Sequence, residues 1–389
     1  MARVLFVVPP MTGHIQPTLA VGDALVARGH DCAWVGHGEV IERVLPADHR
    51  VFALGATPDG GPWREELERI RDRAQQVRGL AGLKFLWEEV LIPLAHSMLP
   101  GVRAVVEQFQ PDVLAVDQQA FAGAFAAREK DLPWATLATT SADRQRSLAD
   151  LPRVLAWTAE RLAQLQSDLG LEARPVPENS PDCVLIFSTQ VLAGSSEGLP
   201  TAMHFVGPAL SERRPCVEFP VEQLAPGTRV LATLGTLNGE RGGRFFSALA
   251  EGLGNMDLQV ILAAPSDLGP FPANFLVRPF LPILDLLPQV SAVVCHAGHN
   301  TVCESLSFAR PLVVAPIKDD QPVVAGQVVN CGAGLRVSFG RPRAAHLRDA
   351  LGRVLDEPAF KDAATRVQAS FRAAGGAQRA ADHLEELLP

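Results

Sequence analysis

The chain has no tyrosine, so no phenolic side chain is available to contact a ligand. Cysteine is sparse. The six thiols show no paired spacing and read as reduced cysteines of a cytoplasmic protein rather than a disulfide framework. Basic charge is short as well. The 35 Lys and Arg against 43 Asp and Glu leave a net charge of −8, which gives no support for a nucleic-acid or anionic-membrane partner. No apolar run approaches the roughly 20 residues of a membrane span. The apolar stretch before Pro9 is too short for a secretory signal. No segment repeats, and Gly332-Ala333-Gly334 is too partial for a dinucleotide fingerprint.

What is present is globular. The composition, 47% hydrophobic and 20% charged, argues against long disorder, and 389 residues allow two domains. Strand-like runs occur at 3–8, 32–36, 113–116, 134–138 and 184–187, and again at 230–234, 258–263, 293–295 and 312–315. Helical segments lie between them, the alternation that builds parallel sheets. The polar, proline-bearing stretch around 210–228 reads as a linker. The expected division is 1–209, the linker 210–228, then 229–370, with 371–389 packing back toward the amino-terminal domain.

The densest information lies between Val293 and Val329, VVCHAGHNTVCESLSFARPLVVAPIKDDQPVVAGQVV. Ala292–Cys295 reads as a strand covered on both faces. His296-Ala297-Gly298-His299-Asn300-Thr301 then turns the chain into a helix, with Asn300 or Thr301 as the expected N-cap. Such a helix start is a ready anion site. Taken singly, His296 reads as structural, Glu304 as a solvated helix residue and Asp319-Asp320 as a turn. Cys295, His296, His299 and Cys303 are metal-competent, but they lack the paired spacing of a zinc site. At the amino terminus, Val4–Val8 reads as a central strand stopped by Pro9-Pro10. Gly13-His14 follows, placed on a loop before a helix near Ile15–Arg28. Val113–Val116 is another buried strand with Asp117 at its end. Alone, Asp117 reads equally as a cap for a helix over Gln118–Arg128.

These motifs resemble the family-one glycosyltransferases, which use nucleotide-diphosphate sugars. The resemblance is carried by HAGHNTVCES, PIKDDQPVVAGQV, MTGHIQP, FVGPAL and LGTLN, in that family's order and over most of the chain. It implies two Rossmann-like, doubly wound α/β domains facing across a cleft, the architecture called GT-B. It implies a donor site of Gly235, Thr236, Phe280, Leu281, His296, Gly298, His299, Asn300, Thr301, Glu304, Asp320 and Gln321. Gly235 permits close backbone approach and Thr236 offers a hydroxyl to the diphosphate. His296 and the helix amides meet the charge on the leaving group. Glu304 accepts from two ribose hydroxyls, and Asp320 and Gln321 address sugar hydroxyls. No metal or other cofactor is then required.

The resemblance also maps a general base onto His14, and Asp117 is the group that would orient it. Direct attack with such a base inverts the anomeric centre. Several positions depart from the family pattern. Phe280 stands where tryptophan is common, Ile283 replaces a glutamine, His299 replaces a tryptophan and Val324 an asparagine. They leave the base open between UDP and dTDP, and Glu304 favours UDP, since thymidine sugars lack the 2′-hydroxyl. Phe85, Trp87, Leu91, Met98 and Trp157 wall an apolar acceptor pocket or belong to the core. The expected activity moves a hexose from UDP- or dTDP-hexose to a hydrophobic aromatic or polyene natural product, in a monomer or homodimer. Two alternatives stay open: a sugar-nucleotide epimerase of the same fold, and a non-catalytic nucleotide-binding partner.

Overall fold

In the computed structural model the described residues are 1–388, apart from 56–64, 67–68, 71–72, 74–76, 78–79, 142–151, 175–178, 196–198, 212–218, 236–241 and 266–267. The chain forms two compact units. The first is Met1–Phe187 with Glu197–Ser211 and Gly375–Pro389; the second is Ser188–Ser196 with Glu212–Ala374.

The first unit holds β1 (Arg3–Val7), β2 (Asp31–His37), β3 (Arg50–Leu54), β4 (Val113–Asp117), β5 (Trp134–Ala138), β6 (Val184–Ile186) and β7 (Met203–Phe205). They pair in the order β3-β2-β1-β4-β5-β6-β7, every pair parallel. The second unit holds β8 (Arg229–Thr233), β9 (Gln259–Ala263), β10 (Phe275–Arg278), β11 (Ala292–Cys295), β12 (Leu312–Val314) and β13 (Gly334–Arg336). Its order is β10-β9-β8-β11-β12-β13, again all parallel. Both are doubly wound sheets. In each, the order reverses between the first and fourth strands, β1/β4 and β8/β11, and ligands bind beyond the carboxyl ends of strands at such a point.

The central strands are buried on both faces, as their unbroken apolar runs require. β3, β7, β10 and β13 did not stand out in sequence. They lie at sheet edges, are three to five residues long and are only partly buried. The helix after β1 runs Thr12–Ala27, three residues earlier than expected, so His14 lies in its first turn rather than on a loop. The helix after β11 runs His299–Ser307 with Gly298 as N-cap, not Asn300 or Thr301. The charged helix expected over Arg64–Arg78 falls mostly outside the described residues.

The helix Leu80–Phe109, with a π-helical turn at Leu86–Leu91, is long and apolar enough to cross a membrane by length and composition. Its apolar face packs into the first unit's core through Leu94, Met98, Leu99, Val102 and Val106. The carboxy-terminal helix Gly376–Glu386 packs on Thr12–Ala27 within the first unit. Arg28 Nη1 donates to Asp382 Oδ1 at 2.8 Å and to Glu385 Oε2 at 2.7 Å, and His30 Nε2 lies 2.8 Å from Glu385 Oε1. The five described cysteines are free thiols.

Gly22 shows how closely the first helix seats on the sheet. A Cβ there would lie 2.3 Å from Trp34 Cζ2. That indole is fully buried and stacked on Phe6 at 4.8 Å, so it cannot yield. Gly22→Ala is expected to destabilise the first unit by about 1–2 kcal/mol net. Gly352→Ala, on the helix Ala344–Asp356 with no atom within 4 Å of the added Cβ, is expected to stabilise the second by about 0.5–1 kcal/mol. Urea midpoints of the two variants check both.

Acid should also weaken the fold. Burial lowers His37, at the end of β2, and His296, after β11, from 6.5 to about 4. The unfolded chain therefore takes up protons before the folded one. The stability these two histidines contribute is whole above pH 6.5 and is lost as the pH falls toward 4, by up to about 3 kcal/mol for each. Urea titrations at pH 7.0, 5.5 and 4.5 should show that slope, and His37→Gln should flatten it.

Candidate active site

At the first sheet's reversal point, β1 leads into the first turn of the Thr12–Ala27 helix and β4 ends on Asp117. The two strands pair in parallel from Val4↔Val113 to Val7↔Val116, which brings both ends to one rim. His14 Nδ1 lies 3.0 Å from each carboxylate oxygen of Asp117. The Asp117 side chain is wholly buried, and the His14 side chain retains 18% of its exposure. Two further donors hold the carboxylate. The Gln119 backbone N–H donates to Oδ1 at 2.8 Å, and the Thr139 hydroxyl donates to Oδ2 at 2.9 Å. The Asp117 backbone C=O accepts from the Ala120 N–H, which closes the turn into the helix Phe121–Glu129. Asp117 is not the helix cap expected of it: the helix starts at Phe121, not Gln118, and is capped at Ala120 with no side-chain bond, while the Asp117 carboxylate lies against the imidazole.

A carboxylate against Nδ1 places the ring proton there and leaves the lone pair on Nε2. That is the tautomer a general base needs, and the buried aspartate stabilises the imidazolium that would form. Thr139 follows β5 and was not singled out from sequence. Its signal was available, because β5 neighbours β4 and any hydroxyl just past its end reaches the same rim.

The second sheet gathers its polar groups at the equivalent place. β8 ends at Thr233, whose hydroxyl accepts the Gly235 N–H at 3.1 Å. Gly235 has φ +72°, a left-handed backbone that glycine adopts without strain. His296 follows β11, and its ring fills the space beside two glycines. A Cβ on Gly235 would lie 2.8 Å from His296 Cε1, and one on Gly298 would lie 2.4 Å from Nε2. Between them Ala297 has φ +63°, a conformation costly for a residue with a Cβ. His296 is 9% exposed, and its Nδ1 has no hydrogen-bond partner among the described residues. Burial outweighs the pull of the Asp320 carboxylate and lowers the imidazole to about 4. It is neutral at physiological pH and still carries one N–H donor.

The helix His299–Ser307 begins here, so its first-turn amides and its dipole face the same rim. Its Glu304 is 4% exposed, not the solvated helix residue that its sequence alone suggests. His299 and Cys303, four apart, meet each other at 3.5 Å between Nε2 and Sγ. Beyond β12, the Gln321 Oε1 accepts the backbone N–H groups of Ile317 and Lys318 at 2.9 and 3.1 Å. That bond shapes the loop holding Asp319, at φ +55°, and Asp320. Gln321 thus spends its carbonyl on the fold. Phe280 lies beyond β10 and is 61% exposed, with Leu281 beside it half-buried. Thr236 lies outside the described residues.

The expected acceptor residues separate. Trp87 is half-buried and packs against Phe121 and Trp157, with ring centroids 5.6 and 6.3 Å apart. Phe85 is half-buried under the Arg73 guanidinium, 5.5 Å from its ring centroid. Leu91 and Met98 are inside the first unit's core at 4% and 0% exposure, because the inward face of their helix points at the sheet. Packing removes these two from a pocket wall.

Residues 247–387 match the family model of the erythromycin biosynthesis protein CIII-like C-terminal domain. Over its full length the chain is 27% identical to an uncharacterized UDP-glucosyltransferase, YojK, of Bacillus subtilis, covering 98% of it. It is 26% identical to demethyllactenocin mycarosyltransferase of Streptomyces fradiae, covering 87% of that protein and 100% of this one. The calicheamicin glycosyltransferase CalG4 superposes with a TM-score of 0.81 at 22% identity, covering 100% of this chain and 98% of its own. The glycosyltransferase VinC in complex with dTDP does so with 0.77 at 21%, covering 99% of both. The His14–Asp117 pair and the His296 corner thus sit on a shared architecture: the chain is a glycosyltransferase of the GT-B fold and the natural-product type, and its residues 247–387 resemble the EryCIII-like C-terminal domain.

Proposed function

We propose that the protein transfers a hexose, with inversion, from a nucleotide-diphosphate sugar to a hydrophobic small molecule. UDP is the favoured nucleotide, His14 the general base, and the setting cytoplasmic. The observation that carries this reading is the His14–Asp117 contact at 3.0 Å on the rim of a doubly wound sheet. The acceptor is proposed to be aromatic or polyene, since Trp87 and Trp157 put apolar rings beside the helix that follows Asp117.

In this reaction Nε2 of His14 takes the acceptor's O–H proton as that oxygen bonds to the anomeric carbon. The carbon–oxygen bond to the diphosphate breaks, and the nucleotide leaves with the electron pair. One displacement with no covalent intermediate inverts the centre. Charge gathers on the diphosphate, where the neutral His296, the backbone beside Gly235 and the helix start at Gly298 supply donors already in place. Leaving-group charge met by such donors needs no metal, and activity should survive dialysis against EDTA. Phe280, with its exposed ring, is proposed to stack on the base.

His14→Ala should lower kcat by about two to four decades while nucleotide affinity changes less than threefold. Single-turnover kinetics and calorimetric titration check the two halves, and near-normal turnover would remove His14 from the mechanism.

The thymidine nucleotide is a second reading, favoured by VinC holding dTDP. A buried Glu304 offers two acceptor oxygens, which suits a ribose with both hydroxyls. UDP should therefore bind about tenfold more tightly than dTDP, and Glu304→Gln should narrow that gap. A calorimetric preference for dTDP would reverse the assignment.

A further inference from the structure

We propose that Thr139 is a positioning residue for this transfer: its hydroxyl donates to Asp117 and accepts the Nδ1–H of His14, which locks the imidazole in the tautomer that can act as a base. The proposal rests on the assignment of His14 as the base. It goes beyond that assignment by adding a third member to the pair.

The hydroxyl carries one hydrogen and stands near two partners. Thr139 Oγ1 is 2.9 Å from Asp117 Oδ2 and 2.8 Å from His14 Nδ1. Only two proton arrangements fit. In one, the hydroxyl donates to Nδ1. The ring proton must then sit on Nε2, and Nδ1 no longer donates to Asp117. The carboxylate, wholly buried, is left with the Gln119 N–H as its one donor among the described residues. Burying an ionised carboxylate with so few donors is costly. In the other, the hydroxyl donates to Oδ2, Gln119 N–H to Oδ1, and Nδ1–H lies between the carboxylate oxygens and Oγ1. Three donors then meet the carboxylate, and every close pair joins a donor to an acceptor. The second arrangement wins.

Thr139 therefore acts on the base from both sides. It holds the carboxylate in place, and its oxygen lone pairs face Nδ1. A ring lacking the Nδ1 proton would point its own lone pair at oxygen lone pairs. When Nε2 takes the acceptor's proton, the cation keeps its Nδ1–H against the same two groups and the ring need not turn. The burial of Thr139, at 4% exposure just past β5, fixes where its oxygen sits.

The test compares Thr139→Val and Thr139→Ala with Thr139→Ser in the full-length enzyme, with His14→Ala as reference. Val keeps the shape and removes the hydroxyl; Ser keeps the hydroxyl and removes a methyl. Val and Ala should each lower kcat about tenfold or more, with the donor KM within about twofold, as expected for loss of a charge-assisted hydrogen bond. In protein labelled with ¹⁵N-histidine, the resonances missing from His14→Ala identify His14. They should report an Nδ1–H tautomer in the wild type and in Thr139→Ser, and a mixture in Thr139→Val. Ser should recover kcat to within about threefold.

Two results would overturn the proposal: wild-type kcat and tautomer in Thr139→Val, or equal losses in Val and Ser, which would mark a packing role. If His14→Ala itself stays active, the assignment of the base fails first. If that variant is inactive and Thr139→Val is normal, only the role of Thr139 falls.

Discussion

Each half of this molecule depends on a parallel sheet whose central strands are covered on both faces. A strand so placed can carry a polar side chain along its length only where a partner is built in, as the Ser180 N–H is for Thr136 in β5. The polar groups are therefore pushed to the strand ends. β1 and β4 are apolar through their buried middles, Asp117 ends β4, Thr139 follows β5, and His14 lies in the first turn of the helix after β1. β8 and β11 behave alike with Gly235 and His296. Where the strand order reverses, the connections diverge to opposite faces of the sheet, the kind of point where open α/β sheets bind ligands. Chemistry collects there because the layered core forbids it elsewhere.

The two rims are built for opposite tasks. On the first, a buried carboxylate with several donors holds an imidazole that keeps some exposure to solvent. That arrangement favours taking a proton. On the second, burial keeps His296 neutral, so it has an N–H to donate and no positive charge. Small residues serve this corner, since Gly235 and Gly298 give way to the ring where any side chain would collide. Ala297 is the exception, a residue with a Cβ held at positive φ where the chain turns from strand to helix. Strain of that kind persists where the surrounding packing over-determines the backbone.

Much of the fold is legible in the chain itself. Unbroken apolar runs mark the central strands, and the residues after them mark the rims. The short edge strands β3, β7, β10 and β13 are less visible, because one side of each is exposed and the apolar run breaks up. Helix starts shift by up to three residues. Gly298 takes the cap that Asn300 or Thr301 was expected to provide, because the sharp turn after His296 leaves no room for a side chain there.

The sequence by itself determined the fold class and the position of its polar residues along the chain, since strand periodicity and motif spacing are local properties. It also placed Asp117 at a strand end and His14 shortly beyond one. Only the tertiary structure decided which groups meet. His14 and Asp117 are 103 residues apart, and their contact follows from the pairing of β1 with β4. Thr139 joins them because β5 lies beside β4. Met98 and Leu91, readable in sequence as pocket wall or core, are core, because the inward face of a long helix is chosen by the sheet beneath it. Sequence spacing cannot set these juxtapositions, because strand order, and with it the neighbours at each rim, is fixed by long-range packing.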